Sequence, residues 1–261
     1  MTNSKHITSL ANPLIKEIVQ LKNNQSTPGL RLTPSEKIDT KKELYITEGL
    51  RAVESVLSQN KSSIKYIFVL EQFSHLFSHT IESEKLITVI DHVMQKISSL
   101  TTPPGILAVC EYQFAKNIPE APGIVCYEIS DPGNLGTLFR TAAALNIKNV
   151  ICIGGVNPLN QKVIQASAGT LPLLNIYKMT EVAFLKTTRN SEIIALTPDG
   201  NKDINEIQKN KNRFLVIGNE AHGLPENFVA QCSQSVKINM PGKAESLNAA
   251  VAGSIAMYYM F

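Results

Sequence analysis

Apolar and polar positions run in two rhythms along this chain of 261 residues. Leu14, Ile15, Ile18 and Leu21 recur at helical spacing with Lys16 and Lys22 off their stripe, which predicts an amphipathic helix. Asn12 stands where it would cap that helix and Pro13 where it would open the first turn. A second helix is expected from near Glu48, carrying Leu50, Val53 and Leu57 inward. Short apolar runs at Leu44–Thr47, Ile64–Leu70, Leu86–Ile90 and Ile106–Cys110 read as strands, so the first part of the chain is a small α/β module.

The second part alternates more regularly. Ile124–Ser130, Val150–Ile153, Leu173–Tyr177, Ile193–Thr197, Phe214–Ile217 and Val236–Met240 read as strands with helical segments between them. Short, continuously apolar strands separated by helices predict a parallel sheet covered on both faces, an α/β fold. The last helix, expected over Ser246–Phe261, carries Leu247, Ala250, Val251, Ser254, Ile255 and Tyr258 on one stripe and Ala249, Ala252, Ala256 and Met257 on the other side. A helix apolar all round must be buried on more than one side, by its own domain and by a second subunit.

Two polar breaks interrupt these patterns. Asn23–Lys42 holds two prolines and no apolar period, and reads as a long mobile loop. Gln113–Gly123, with two prolines and a glycine between two strands, is the expected domain boundary, dividing the chain into residues 1–116 and 117–261.

Composition narrows the class. With 43% hydrophobic and 18% charged residues the chain is expected to be globular, and its longest apolar stretch near an end, Ala249–Phe261, falls short of the roughly 20 residues of a membrane span. The opening residues lack the apolar core of a signal peptide, so a cytoplasmic location is expected, with no membrane partner. Cys110, Cys126, Cys152 and Cys232 stand singly in apolar contexts and read as reduced, mostly buried fillers. The five histidines, His6, His75, His79, His92 and His222, have no ligand spacing, so no metal is expected. The net charge of +3 is unevenly spread: residues 1–65 hold ten Lys or Arg against six Asp or Glu, whereas residues 66–116 hold three against five. A polyanion contact in the first half therefore favours its opening segment, with Lys16, Lys22, Arg31, Lys41, Lys42 and Arg51 as candidates for phosphate contacts or as solvated surface charges.

The chain has no phosphate-loop pattern, no dinucleotide fingerprint, no HExxH and no GxSxG, which argues against kinases, ordinary nicotinamide dehydrogenases, zincins and α/β-hydrolases. Three segments carry candidate chemistry instead. SDPGNLGTLFRTAAAL, Ser130–Leu145, turns from a strand into a helix whose Asn134 and Arg140 come near the strand's C-terminal end, where open α/β sheets place ligands. FLVIGNEAHGLPE, Phe214–Glu226, runs from a strand into Gly218 and Glu220; Gly218 permits close backbone approach or a positive φ. VKINMPGKAESLNAAVA, Val236–Ala252, passes through a Pro-Gly loop to Ser246, whose hydroxyl suits a helix N-cap and a substrate contact alike.

In order and spacing these three segments resemble the three motifs of the SpoU class of RNA 2′-O-ribose methyltransferases. YITEGLRAVESVL and TPPGILAVCEY in the first half are similar to that family's substrate-binding domain, which is like a ribosomal-protein RNA-binding fold. The resemblance implies a C-terminal parallel-sheet domain with a deep trefoil knot, a homodimer, and S-adenosylmethionine as methyl donor to a ribose 2′-hydroxyl in structured RNA, above all ribosomal RNA. Transfer RNA, or a catalytically silent RNA-binding protein of the same fold, are the alternatives. By position it implies cofactor contacts at Thr197, Gly218, Ile238, Met240 and Leu247. It also implies Arg140 as catalytic group, Ser246 and Asn248 positioning RNA or the arginine, and Asn134 and Glu220 orienting the reacting groups. A guanidinium is a donor in nearly every protein setting, so Arg140 as an anchor for phosphate and ribose stands beside Arg140 as base. Asn239 and Ala221 depart from the residues usual at their motif positions.

Overall fold

The apolar runs of the first part become strands of a five-stranded sheet, and those of the second part strands of a seven-stranded one. In this computed structural model residues 5–26, 42–117, 119–210, 212–244 and 246–261 are described. Arg31, Lys41 and most of the loop expected over 23–42 lie outside them. The described residues fall into two units, the first holding residues 5–26, 42–113 and 159–172 and the second the remainder from Phe114 onward. Residues 159–172, which follow the expected boundary in the chain, pack within the first unit.

The first unit contains β1 (Lys5–Ile7), α1 (Pro13–Ser26), β2 (Glu43–Glu48), α2 (Leu50–Asn60), β3 (Ile64–Leu70), β4 (Leu86–Val89), α3 (Asp91–Ile97) and β5 (Ile106–Tyr112). Its sheet order is β1-β4-β3-β5-β2, with β5 antiparallel to both β2 and β3 and the other pairs parallel. Ile15, Ile18, Ile46, Phe68, Ile87, Val93 and Leu107 are among the buried side chains of its core. Asn12 Oδ1 accepts from Leu14 N at 2.9 Å, so the cap at the start of α1 forms as expected. The helix runs past Lys22 to Ser26 because Gln25 is buried and its amide donates to the Leu44 carbonyl at 2.7 Å, a tertiary bond that no helical period reveals. β1 is too short to show a period and is fixed by parallel pairing with β4. α5 (Gln161–Ser167) packs on β2, where Gln161 Nε2 donates to the Ile46 carbonyl at 3.4 Å. Close by, Ser55 Oγ donates to the Gly169 carbonyl at 2.8 Å.

The second unit holds β6 (Gly123–Tyr127), α4 (Pro132–Ala144), β7 (Asn149–Ile153), β8 (Asn175–Met179), α6 (Glu181–Thr187), β9 (Glu192–Leu196), β10 (Lys202–Asp203), β11 (Arg213–Ile217), α7 (Glu226–Val229), β12 (Gln234–Lys237) and α8 (Ala249–Met260). All strand pairs are parallel, in the order β10-β12-β9-β11-β6-β7-β8. The chain lays β7 and β8 to one side of β6 and returns to the other, so a switch point lies between β6 and β11, where open sheets form crevices at their carboxyl ends. β12 starts two residues earlier than expected because Gln234 and Ser235, although polar, pair with Ile194 and Ala195 of β9. β8 lies two residues later than expected, Leu171–Leu173 forming a short 3-10 turn ahead of it.

α8 differs from its expected form at both its start and its stripe. Ser246 is not its cap: the helix begins at Ala249, and Asn248 Oδ1 accepts from Ala250 N at 2.9 Å and from Val251 N at 3.2 Å. The buried stripe is Ala250, Gly253, Ala256, Met257 and Met260, whereas Val251 is 47% and Tyr258 68% exposed. Gly253 makes that stripe possible, since a Cβ there would lie 2.6 Å from Leu138 Cδ2 on α4 and 2.8 Å from Ile217 Cδ1 on β11. Cys110, Cys126 and Cys152 are buried and Cys232 is half-buried; all four are free thiols. Among the described residues no helix is long and apolar enough to cross a membrane.

Candidate active site

Three neighbouring strands end at one place. Past the C-terminal ends of β9, β11 and β12 lie residues 197–201, 218–224, 238–244 and 246–248, and side chains from these segments, with Glu226, Val229, Ala230, Ala249 and Ala252, line a cavity of about 830 Å³. The loop after β9 is pinned by Thr197 N donating to the Val236 carbonyl at 2.9 Å and by Asn201 N donating to Ser235 Oγ at 3.1 Å. The loop after β11 is a tight turn. Asn219 and Gly223 exchange backbone bonds of 3.1 and 2.9 Å, while Asn219 Oδ1 accepts from Ala221 N at 2.9 Å and His222 N at 3.1 Å. Gly223 takes φ +66°. Gly218 does not take a positive φ; it is glycine because a Cβ would meet the Gly223 backbone at 2.6 Å.

Glu220 ties this turn to the start of α4. Its Oε2 accepts from Ser130 N at 3.0 Å and Ser130 Oγ at 2.7 Å, and its Oε1 from Asp131 N at 3.0 Å and Asn134 Nδ2 at 2.9 Å. Four donors use the full accepting capacity of a carboxylate. Burial on its own pushes this carboxyl up, but the bonds from Asn134 and Ser130 outweigh it and hold the group at about 2. Glu220 therefore stays ionised and is a poor proton acceptor at neutral pH. The chain of bonds continues, since Asn134 Oδ1 accepts from Asn248 Nδ2 at 2.9 Å and Asn248 caps α8. Asp131, which the sequence did not single out, caps α4 by accepting from Asn134 N at 2.8 Å. Asn134, Glu220 and Asn248, far apart in sequence, thus make one polar strap across the three motifs.

Every residue to which the motif resemblance gave a cofactor contact lines the cavity: Thr197, Gly218, Ile238, Met240 and Leu247. Glu220 and Ser246 line it too, while Asn134, Asn248 and Arg140 do not. Arg140 is exposed on α4 and makes no hydrogen bond or ion pair among the described residues, so its guanidinium is available to an anion. Three titratable lining residues were not singled out as site residues in the sequence: Asp199, His222 and Glu226. Asp199 and His222 sit in loops that follow strands, a signal that could have marked them, whereas Glu226 opens α7.

Of the cationic residues singled out in the first unit, Lys16 and Arg51 are exposed and free of ion pairs among the described residues. Lys42 is paired with Glu111 at 2.8 Å. Lys22 is spent on structure: its Nζ donates to the carbonyls of Lys96 at 2.7 Å and Ser98 at 3.1 Å at the end of α3, and burial, with Lys96 nearby, lowers its pKa.

Residues 122–258, just over half of the chain, match the profile of the SpoU rRNA Methylase family. The chain belongs to this family. Residues 35–108 match the MRM3-like substrate binding domain. This SpoU protein is 27% identical over 263 residues to an uncharacterized tRNA/rRNA methyltransferase of Synechocystis sp., covering 97% of this chain and 92% of that one. It is 25% identical over 250 residues to a 23S rRNA guanosine 2′-O-methyltransferase of Bacillus subtilis, covering 94% and 99%. The AdoMet-bound rRNA methyltransferase of Sinorhizobium meliloti has the same fold, with a TM-score of 0.80 at 23% identity over 98% of this chain and 97% of that one.

Proposed function

We propose that this SpoU protein transfers the methyl group of S-adenosylmethionine to a ribose 2′-hydroxyl in structured RNA, with ribosomal RNA as its target. The observation that carries this reading is the cavity at the ends of β9, β11 and β12, lined by the loops of the second and third motifs and by Glu220, whose carboxylate is tied through Asn134 to Asn248. Its residues fit the cofactor. Ile217, Ile238, Met240 and Leu247 give an apolar wall for an adenine, and Asp199 and Glu226 give carboxylates to a ligand that carries an ammonium and a sulfonium. A volume of about 830 Å³ suits a ligand of this size. The cofactor would supply an electrophilic methyl on a positively charged sulfur. The chain's own part is to hold the 2′-oxygen in line with that methyl, to exclude water and to take up the proton.

Within this reading Arg140 anchors the target's phosphate and ribose, Ser246 positions the RNA, and Glu220 with Asn134 and Asn248 keeps the three loops in register. The first unit provides RNA affinity, Lys16 and Arg51 offering free positive charge. The fold likeness and the three ordered motifs support the trefoil knot, and an RNA substrate supports a cytoplasmic location. Val251, Tyr258 and Tyr259, all exposed on α8, support a homodimer through that helix. Sedimentation at micromolar concentration returning only the 28.6 kDa monomer would remove the dimer from the reading. The main test is incubation of the full chain with total RNA and methyl-labelled S-adenosylmethionine, followed by nucleoside analysis. Label is expected on 2′-O-methylnucleosides of ribosomal RNA. Label on transfer RNA alone would move the target, label only on bases would sink the reading, and no label would leave an RNA-binding protein of the same fold.

A further inference from the structure

A second cavity, of about 250 Å³, lies in the first unit where α1 meets α3. Its floor is apolar: Ile15 is buried, and Leu10 and Val19 are half-buried beside it. Its rim is polar and cationic, with Lys16, Gln20 and Asn23 exposed on α1 and Lys96 exposed on α3. No carboxylate lines it among the described residues. The side chains of Lys16, Gln20 and Lys96 have no hydrogen-bond or ion-pair partner among the described residues, so two positive charges and an amide stand uncommitted at the opening. The walls are fixed in advance. Asn12 N donates to the Ser9 carbonyl at 3.3 Å and Ala11 N to Ser9 Oγ at 3.2 Å, which closes the turn that carries Leu10. Lys22 Nζ, bonded to the carbonyls of Lys96 and Ser98, ties the end of α3 to α1 and adds a third positive charge beside Lys96.

The volume falls below the roughly 300–1,000 Å³ of sites for drug-sized ligands, so the occupant is one flat group and not a whole cofactor. Lysines with no acid among them select an anion, but a phosphate alone would leave the apolar floor idle. A nucleotide meets both demands, with an apolar base face, a polar base edge and a phosphate on either side. In a duplex the faces are stacked and the edges paired, so the base that enters is an unpaired one splayed out of its strand. We infer that this cavity binds one unpaired nucleotide of the RNA substrate, its base on the floor of Leu10, Ile15 and Val19, its edge bonded by the Gln20 amide and its flanking phosphates on Lys16 and Lys96. The inference rests on the RNA methyltransferase reading above. Gln20 offers a donor and an acceptor side by side, which suits the amino group and neighbouring ring nitrogen of adenine.

The probe is a short single-stranded oligoadenylate with 2-aminopurine, which fluoresces more strongly when unstacked, in place of one adenine. With the full chain its fluorescence is expected to rise on binding, and ultraviolet crosslinks are expected within Leu10–Asn23 and at Lys96. Gln20→Ala, a change on an exposed helix position, should weaken binding about three- to tenfold, the worth of one hydrogen bond. Lys16→Gln with Lys96→Gln should flatten the salt slope of log affinity by about 1.4, two contacts on a single strand. Val19→Trp, which fills the cavity, should abolish the fluorescence rise while the lysines keep part of the salt-dependent affinity; thermal melts check that each variant is folded. Lys61→Gln, exposed elsewhere in the first unit, is the charge control and should leave fluorescence and crosslinks unchanged. Crosslinks at the cavity with no fluorescence rise, and with Gln20→Ala binding as tightly as the unaltered chain, would mean phosphate contact alone and overturn the inference. Absence of crosslinks there from a chain that still methylates ribosomal RNA would overturn it and leave the methyltransferase reading standing. An unaltered chain that neither binds nor methylates RNA would overturn both.

Discussion

The strap at the motif loops turns on single atoms, and Glu220 shows how far burial and hydrogen bonding can compete within one side chain. Its folded-state pKa of about 2 lies below the 4.5 of an unhindered glutamate, so its contribution to stability is fully present above about pH 4.5 and is lost as pH falls toward 2. Glu220→Gln keeps the shape but turns a donor toward the backbone amides of Ser130 and Asp131. The variant should unfold at a lower temperature than the unaltered chain at pH 6, with the gap narrowing steadily between pH 4.5 and pH 2.5 in thermal melts. A constant gap would mean that the carboxylate is not the strap's anchor. Arg140→Ala should act differently, leaving cofactor affinity nearly unchanged in calorimetry and lowering single-turnover transfer at least about 100-fold, since one positioned electrostatic group is commonly worth that much. At this scale the sequence marked residue types better than reasons. It picked out Gly218 as free to bend or to approach a ligand, but the glycine is required by the backbone of Gly223, a neighbour that only the folded turn supplies.

Among elements, legibility followed how much of the determining interaction is local. The capped start of α1 and the apolar runs of β3, β4, β5 and β11 were readable because period and burial are properties of a few adjacent residues. The end of α1 and the start of β12 were not, because Gln25 answers to Leu44 and Gln234 to β9. Likewise the cap of α8 passed from Ser246 to Asn248, whose carbonyl closes the helix while its amide reaches Asn134. Asn248→Ala should therefore destabilise the full chain by about 1 kcal/mol through the lost cap, read from denaturant midpoints. Asn248→Asp restores an acceptor for Ala250 and Val251 but removes the donor to Asn134. It is expected to recover most of the stability and little of the methyl transfer. Equal recovery of both would separate the Asn134 contact from function.

For the whole molecule, the sequence suggests a boundary at a polar, proline-bearing stretch, but residues 159–172, beyond it in the chain, pack in the first unit. α5 sits between β7 and β8 in the chain yet packs on β2, with Gln161 and Ile164 buried there, so cutting the chain at residue 117 would strip α5 of its partner. RNA affinity of the first unit is therefore tested by charge substitution in the intact protein. Each phosphate neutralised by a lysine or arginine adds roughly 0.7–0.9 to the slope of log affinity against log salt. Lys16 and Arg51, exposed and without ion partners among the described residues, have charge to give. Lys42 shares its charge with Glu111, and Lys22 is bound to the end of α3. Lys16→Gln with Arg51→Gln should weaken binding of the target RNA and flatten its salt slope by about 1.4–1.8, the sum of two contacts. S-adenosylmethionine affinity should stay unchanged. Lys22→Gln should instead lower the unfolding midpoint and leave the slope nearly as it was, because its removal uncaps α3 rather than releasing a phosphate. If the double variant keeps both affinity and slope, the first unit's exposed positive charge does not carry the RNA, and the phosphate contacts belong to the second unit around Arg140.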